Sequence, residues 1–231
     1  MLHLDKNNQH ASNTLFPSRA VPENVFIEHA NKVLNDHGFN SKTSINLVSH
    51  CRDELCRPFT EAIDSTWQKP SFNIASLAGM VYCGRTGFRA AMAHAPNIDG
   101  KERYVIWVAS HIALGEGEPG IVYRPGREHA STACGALLAA LREIQSGKLN
   151  VQLDPTDLEM SLLKQQIVGY LRYGQVPSLV ELTYAVHECI LADVKRTAQL
   201  AVDRDMCEYV IISGIQVHGA YNSNFFWPGT F

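Results

Sequence analysis

No apolar run in this 231-residue chain approaches the roughly 20 residues that a membrane-spanning helix needs, so insertion into a bilayer is not expected. An excess of one charge is also missing. The 20 Lys and Arg are scattered among 23 Asp and Glu, a formal net charge of -3, and form neither a basic stripe for nucleic acid nor a polybasic tail. Nucleic acid is therefore excluded as the expected partner. Cysteine is scarce: six residues, unevenly spaced, are too few for a disulfide scaffold and point instead to metal binding or catalysis in a reducing compartment. The polar start, Met1 to Thr14, lacks the apolar core of a secretory signal. The expected location is the cytoplasm, or a plastid or other organelle if a transit peptide has been removed. A phosphate-binding loop is absent too, because Gly84-Arg85-Thr86-Gly87 lacks the full spacing and the lysine and reads as a turn.

What is present is ordinary globular composition, 45% hydrophobic, with helical and strand-like segments in alternation. Residues 1–20 read as a polar lead-in and 21–231 as one domain. Pro22 to Gly38 has helical spacing and stops at glycine. A short strand at 45–50 is followed by a helix from Pro58 to Trp67, and Phe72 to Val81 reads as a strand with its exit loop. Phe88 to His94 reads as helical, ending before Pro96. The turn Asn97 to Gly100 then leads into the strongest strand of the chain, Tyr104 to Ala109. Four glycines and two prolines between Gly115 and Arg127 predict a long loop over the pocket. Helices are expected within 131–144, 155–173 and 177–202, and a last strand over 209–217. The predicted fold class is α/β, a single domain with a mostly parallel central sheet flanked by helices.

Chemistry is expected where strands end, because the carboxyl ends of strands in open α/β sheets face the ligand crevice. Cys51-Arg52-Asp53-Glu54 follows directly on the apolar stretch Ile45 to Val48. The run Tyr104 to Ala109 ends in Ser110-His111, and Cys134 opens a helix-like Gly135-Ala136-Leu137-Leu138 segment. Cys51, His111 and Cys134 can thus form a zinc site. Cys83, Cys189 and Cys207 read as core filler, and Cys56 is ambiguous. His50, His94, His111 and His129 all lie near the expected pocket, but only His111 ends a strong strand. His129 is kept as a second-layer or proton-relay candidate.

Taken in order, Cys51-Arg52-Asp53-Glu54-Leu55-Cys56-Arg57-Pro58, Leu77-Ala78-Gly79, Ala91-Met92-Ala93-His94, Arg127-Glu128-His129, Cys134-Gly135 and Gly214-Ile215-Gln216 resemble the limiting-carbon-dioxide-inducible B/C group, a β-carbonic-anhydrase-like family. The ordinary β-class motif His-x-x-Cys-Gly is missing, since His111 and Cys134 stand 23 positions apart. The resemblance implies a β-carbonic-anhydrase-like fold, zinc on Cys51, His111 and Cys134, and a homodimer, for which the aromatic tail Tyr221, Phe225, Phe226 and Trp227 would suit the contact. It also implies a carboxylate–arginine pair on Asp53. Leu55 occupies the usual arginine position, so Arg57 is the nearest substitute, with Arg85 or Arg89 as replacements.

The activity so implied is zinc-dependent, reversible hydration of carbon dioxide to bicarbonate by zinc-bound hydroxide. Asp53, held ionised by an arginine, would orient the hydroxide, and His94 or His129 would relay the released proton. Two thiolates cancel the charge of the zinc ion, so the site needs this help more than one with three neutral imidazoles. Two other classes share the same residues. One is a catalytically silent zinc protein that senses bicarbonate or assembles in a carbon-concentrating system. The other is a metal-free enzyme with Cys51 as nucleophile.

Overall fold

The structure, a computed structural model, describes residues 20–229 except 116, 125, 204, 221 and 222. The polar lead-in, apart from Ala20, lies outside the described residues, as does Tyr221. The described residues form a single-domain α/β fold with six α-helices and a mostly parallel central sheet. None of the described helices is long and apolar enough to cross a membrane.

Strands in chain order are β1 (Val21–Pro22), β2 (Ser44–Ser49), β3 (Phe72–Asn73), β4 (Asn97–Ile98), β5 (Lys101–Ala113), β6 (Ile121–Val122), β7 (Ser131–Thr132), β8 (Cys207–His218) and β9 (Asn224–Pro228). Helices are α1 (Glu23–Asp36), α2 (Arg57–Trp67), α3 (Gly84–Met92), α4 (Gly135–Gln145), α5 (Leu158–Val168) and α6 (Leu179–Ala201). The main sheet runs β1-β9-β8-β5-β2-β3, with β4 folded back on β5, and β6 and β7 form a small separate ribbon. Strands β3, β2, β5 and β8 pair in parallel, whereas β9 pairs antiparallel with both β8 and β1.

The unbroken apolar run of β5 is explained by cover on both faces. Tyr104, Ile106 and Val108 pack into the larger core with α3 to α6, while Val105, Trp107 and Ala109 pack into a second core with α1 and α2. The one polar atom of Trp107 is satisfied, its Nε1–H donating to Asn46 Oδ1 at 3.0 Å. Helix α1 stops where Gly38 takes φ +82°, and a Schellman pair closes it: Gly38 N–H donates to Asn35 O and Phe39 N–H to Leu34 O. Helix α6 opens with a capping box between Ser178 and Glu181.

Four expectations need correction. Gly84 to Gly87 is the first turn of α3 rather than a turn between elements. Only Phe72–Asn73 of the 72–81 segment pairs as strand, and a 3-10 turn occupies Leu77–Gly79. Strand β5 continues to Ala113, so His111 lies inside it and not beyond its end. The aromatic tail is strand β9, packed within the chain: Phe226 stacks on Phe26 at 4.2 Å and on Phe59 at 5.1 Å, and Phe225 is buried. Those two rings are spent on the chain's own core.

Candidate metal centre

Unequal strand lengths create the site. Strand β2 ends opposite Val108, where Ser49 pairs with it, while β5 runs on for five more residues whose strand partner is β8. Cys51 turns into the space that β2 vacates, beside His111. The chain then returns from the long loop so that Ala133 O accepts from Ala113 N–H at 3.0 Å and Ala133 N–H donates to Gly120 O at 2.9 Å. This clamp sets Cys134, the residue before α4, at the same strand end.

Cys51, His111 and Cys134 each offer a ligand atom within 4.8 Å of the others, and all three are buried. The two sulfurs are 3.8 Å apart. A disulfide would need about 2.05 Å, and all six cysteines are free thiols. Two thiolates bound tetrahedrally at about 2.3 Å from one zinc ion would lie about 3.8 Å apart. His111 Nε2 is buried with no hydrogen-bond partner among the described residues, a cost that a ligand bond would remove. Two soft sulfurs and one imidazole suit zinc. The residues present therefore fit the metal that the sequence resemblance implies.

Without a metal the two thiols share a proton unequally. The Cys134 thiol facing Cys51 lowers the Cys51 pKa, and His111 helps, against the opposing effect of burial. Cys134 is pushed up by the same contact, by burial and by the Cys51 charge. A second cluster shares His111: Cys56 Sγ lies 3.8 Å from His218 Nε2, which lies 3.2 Å from His111 Nδ1. Burial is the main cause that lowers His218 to about 3, which favours the neutral imidazole. Burial also lowers His50, whose Nδ1 is 2.9 Å from Cys51 O.

Asp53 does pair with an arginine, but the arginine is Arg124. Its Nη2 donates to both Asp53 oxygens, at 2.9 and 3.0 Å. Arg124 also bonds Glu54, Ser131 Oγ and Thr132 O. Burial works against its charge, yet the bonds to Glu54 and Asp53 outweigh that and raise its pKa. Asp53 Oδ1 further accepts from Leu55 N–H, capping the short 3-10 turn Glu54–Cys56. Arg57 is exposed and pairs with Glu61, one helical turn on, and Arg85 and Arg89 are exposed on α3. His94 is exposed with its ring beside Phe72, after α3 has carried the chain back toward the amino end of β5, which removes it from the strand ends. His129 is exposed between β6 and β7, on the loop that carries Arg124.

That loop borders a cavity of about 990 Å³ whose wall includes Arg124, Tyr123, Ala113, His218 and Asn224. None of the three candidate ligands lines it. Sequence reasoning missed Arg124 and His218, although each carried a signal: Arg124 sits in the Gly- and Pro-rich loop expected over the pocket, and His218 ends a strand as His111 was expected to.

The family profile of limiting CO2-inducible proteins B/C beta carbonic anhydrases matches residues 20–231. The chain belongs to this family. Among solved structures, it is similar to PtLCIB4, a homolog of the limiting CO2-inducible protein LCIB, with a TM-score of 0.82 and 26% identity over 95% of this chain and 92% of that one. LCIB itself gives a TM-score of 0.78 and 27% identity over 96% and 92%. No curated protein matches the sequence significantly. The family is described as β-carbonic-anhydrase-like, and the chain has Cys and His groups that could hold a metal ion.

Proposed function

We propose that the chain binds one zinc ion through Cys51, His111 and Cys134 and catalyses reversible hydration of carbon dioxide to bicarbonate. The observation that carries this reading is the buried Cys51–His111–Cys134 cluster, with sulfurs 3.8 Å apart and an imidazole nitrogen that has no hydrogen-bond partner among the described residues. A zinc ion held there would supply Lewis-acid activation of water. Asp53, fixed by the two-pronged Arg124 contact, accepts hydrogen bonds only, so it turns the O–H of a nucleophile toward itself and leaves a lone pair free for carbon dioxide. Apolar Leu55 and Ala113 form part of the wall of the neighbouring cavity. His129, exposed on the same loop, is the residue we assign to proton exchange with solvent. Homodimer assembly belongs to the same proposal, with a contact other than the buried Phe225 and Phe226.

A second reading, a silent zinc protein that senses bicarbonate or assembles with others, is favoured by one observation: all three ligands are at most 5% exposed and none reaches the cavity wall. Stopped-flow carbon dioxide hydration, with metal content measured on the same sample, separates the two. One zinc per chain with chelator-sensitive hydration supports the enzyme. One zinc without hydration supports the silent protein, and no metal with alkylation-sensitive Cys51 supports a thiol enzyme.

A further inference from the structure

The second cluster, Cys56–His111–His218, shares His111 with the candidate ligands, and its geometry has a direction. Asn224 opens β9 and pairs with His218 across the antiparallel β8–β9 ladder. The Asn224 Oδ1 lies 3.0 Å from His218 Nδ1, and a carbonyl oxygen can only accept. The proton on His218 therefore sits on Nδ1, which leaves Nε2 as an acceptor. That Nε2 faces His111 Nδ1 at 3.2 Å, so His111 must donate from Nδ1. A neutral His111 then keeps its lone pair on Nε2, the same buried atom that has no hydrogen-bond partner among the described residues. The Cys56 thiol points to the same acceptor from 3.8 Å.

We infer that Asn224 and His218 are positioning residues that hold His111 in the Nδ1–H tautomer, so that Nε2 is preset to ligate metal before any metal arrives. The inference rests on the assignment of Cys51, His111 and Cys134 as metal ligands. It excludes a second metal on Cys56, His111 and His218, because an ion there would need the His218 Nε2 lone pair, which accepts the hydrogen bond, and His111 Nδ1, which carries the proton. Outer partners of metal-bound histidines typically change metal affinity by about 10- to 100-fold when removed.

Two readouts on the full chain test it: histidine ring nitrogen–proton correlation spectra of the metal-free protein, and zinc affinity by chelator competition. The wild type should show His111 protonated at Nδ1. Asn224→Leu should release that preference and weaken zinc binding by about 10-fold or more. Asn224→Asp, which still accepts, should keep both. His218→Gln, whose amide oxygen can accept from His111, should outperform His218→Leu. If the His218 variants fail to fold, the Asn224 pair at the partly buried strand start decides alone. An Nε2–H tautomer in the wild type overturns the inference, as does equal weakening by Asn224→Leu and Asn224→Asp. A second zinc per chain that Cys56→Ser removes would also overturn it. Absence of zinc binding in the wild type would refute the ligand assignment, while the metal-free spectra would still judge the tautomer.

Discussion

Glu23, the first residue of α1, should make the protein lose stability as pH rises from acid to slightly alkaline. Its side chain is buried behind β1, one carboxylate oxygen has no hydrogen-bond partner among the described residues, and burial pushes its pKa from 4.5 up to about 8. The Gln216 amide acts in the opposite direction, but neither of its polar atoms reaches a clean hydrogen bond. The positive end of the α1 dipole also favours the charge, by about 0.3–1 kcal/mol, too little to win. A carboxyl whose folded pKa lies above its unfolded value keeps its proton in the native state after the unfolded chain has lost its own. Stability therefore falls with rising pH between about 4.5 and 8 and levels off above. At about 1.36 kcal/mol per pH unit, that interval sets a ceiling of about 5 kcal/mol. Relaxation and entering water should bring the measured effect to roughly half.

Glu23→Gln keeps the shape and removes the titration. Urea unfolding of wild type and variant at pH 5.5, 7 and 8.5 should show the variant gaining on the wild type as pH rises, by about 1.5–2 kcal/mol across the range. A stability difference that stays constant with pH, or that grows toward acid, would refute the burial argument and mean that the Glu23 carboxylate finds a charge partner.

Four further outcomes follow from the site and its supports. Cys51→Ala should lose bound metal and hydration together, measured by metal analysis and stopped-flow on one sample; activity without metal would end the zinc proposal. Asp53→Asn should keep the metal and lose at least about 10-fold in hydration rate, since the amide can offer a donor where only an acceptor serves; an unchanged rate would remove Asp53 from the reaction. Arg124→Leu leaves a largely buried carboxylate alone and cuts the ties to Ser131 and Thr132, so it should cost about 2–4 kcal/mol in denaturation and speed amide exchange at 131–133. Gly79→Ala should be among the most damaging small substitutions, because φ is +86° and a Cβ would stand 2.1 Å from Ala109 O; a loss in thermal or chemical denaturation under about 1 kcal/mol would mean that the backbone there can shift.

Elements defined by local pattern were legible in the sequence. The helical spacing of Phe26, Ile27 and Leu34 with Gly38 behind it, Pro58 in the first turn of α2, and the continuous apolar run of β5 each depend on neighbours within a few residues. Strand-end reasoning also drew attention to Cys51, His111 and Cys134, which the fold brings within ligand distance of one another. Partners set by long-range pairing were beyond such reasoning. The arginine on Asp53 stands 71 positions away on a loop, where a local search found Arg57 instead. Strand β9 read as an aromatic tail suited to a subunit contact because strand pairing is a property of two segments, and only its antiparallel docking on β8 buries Phe225 and Phe226 and sets Asn224 against His218. Periodicity reports which residues seek burial; which distant side chain satisfies a buried charge or nitrogen is decided when the strands take their order and register.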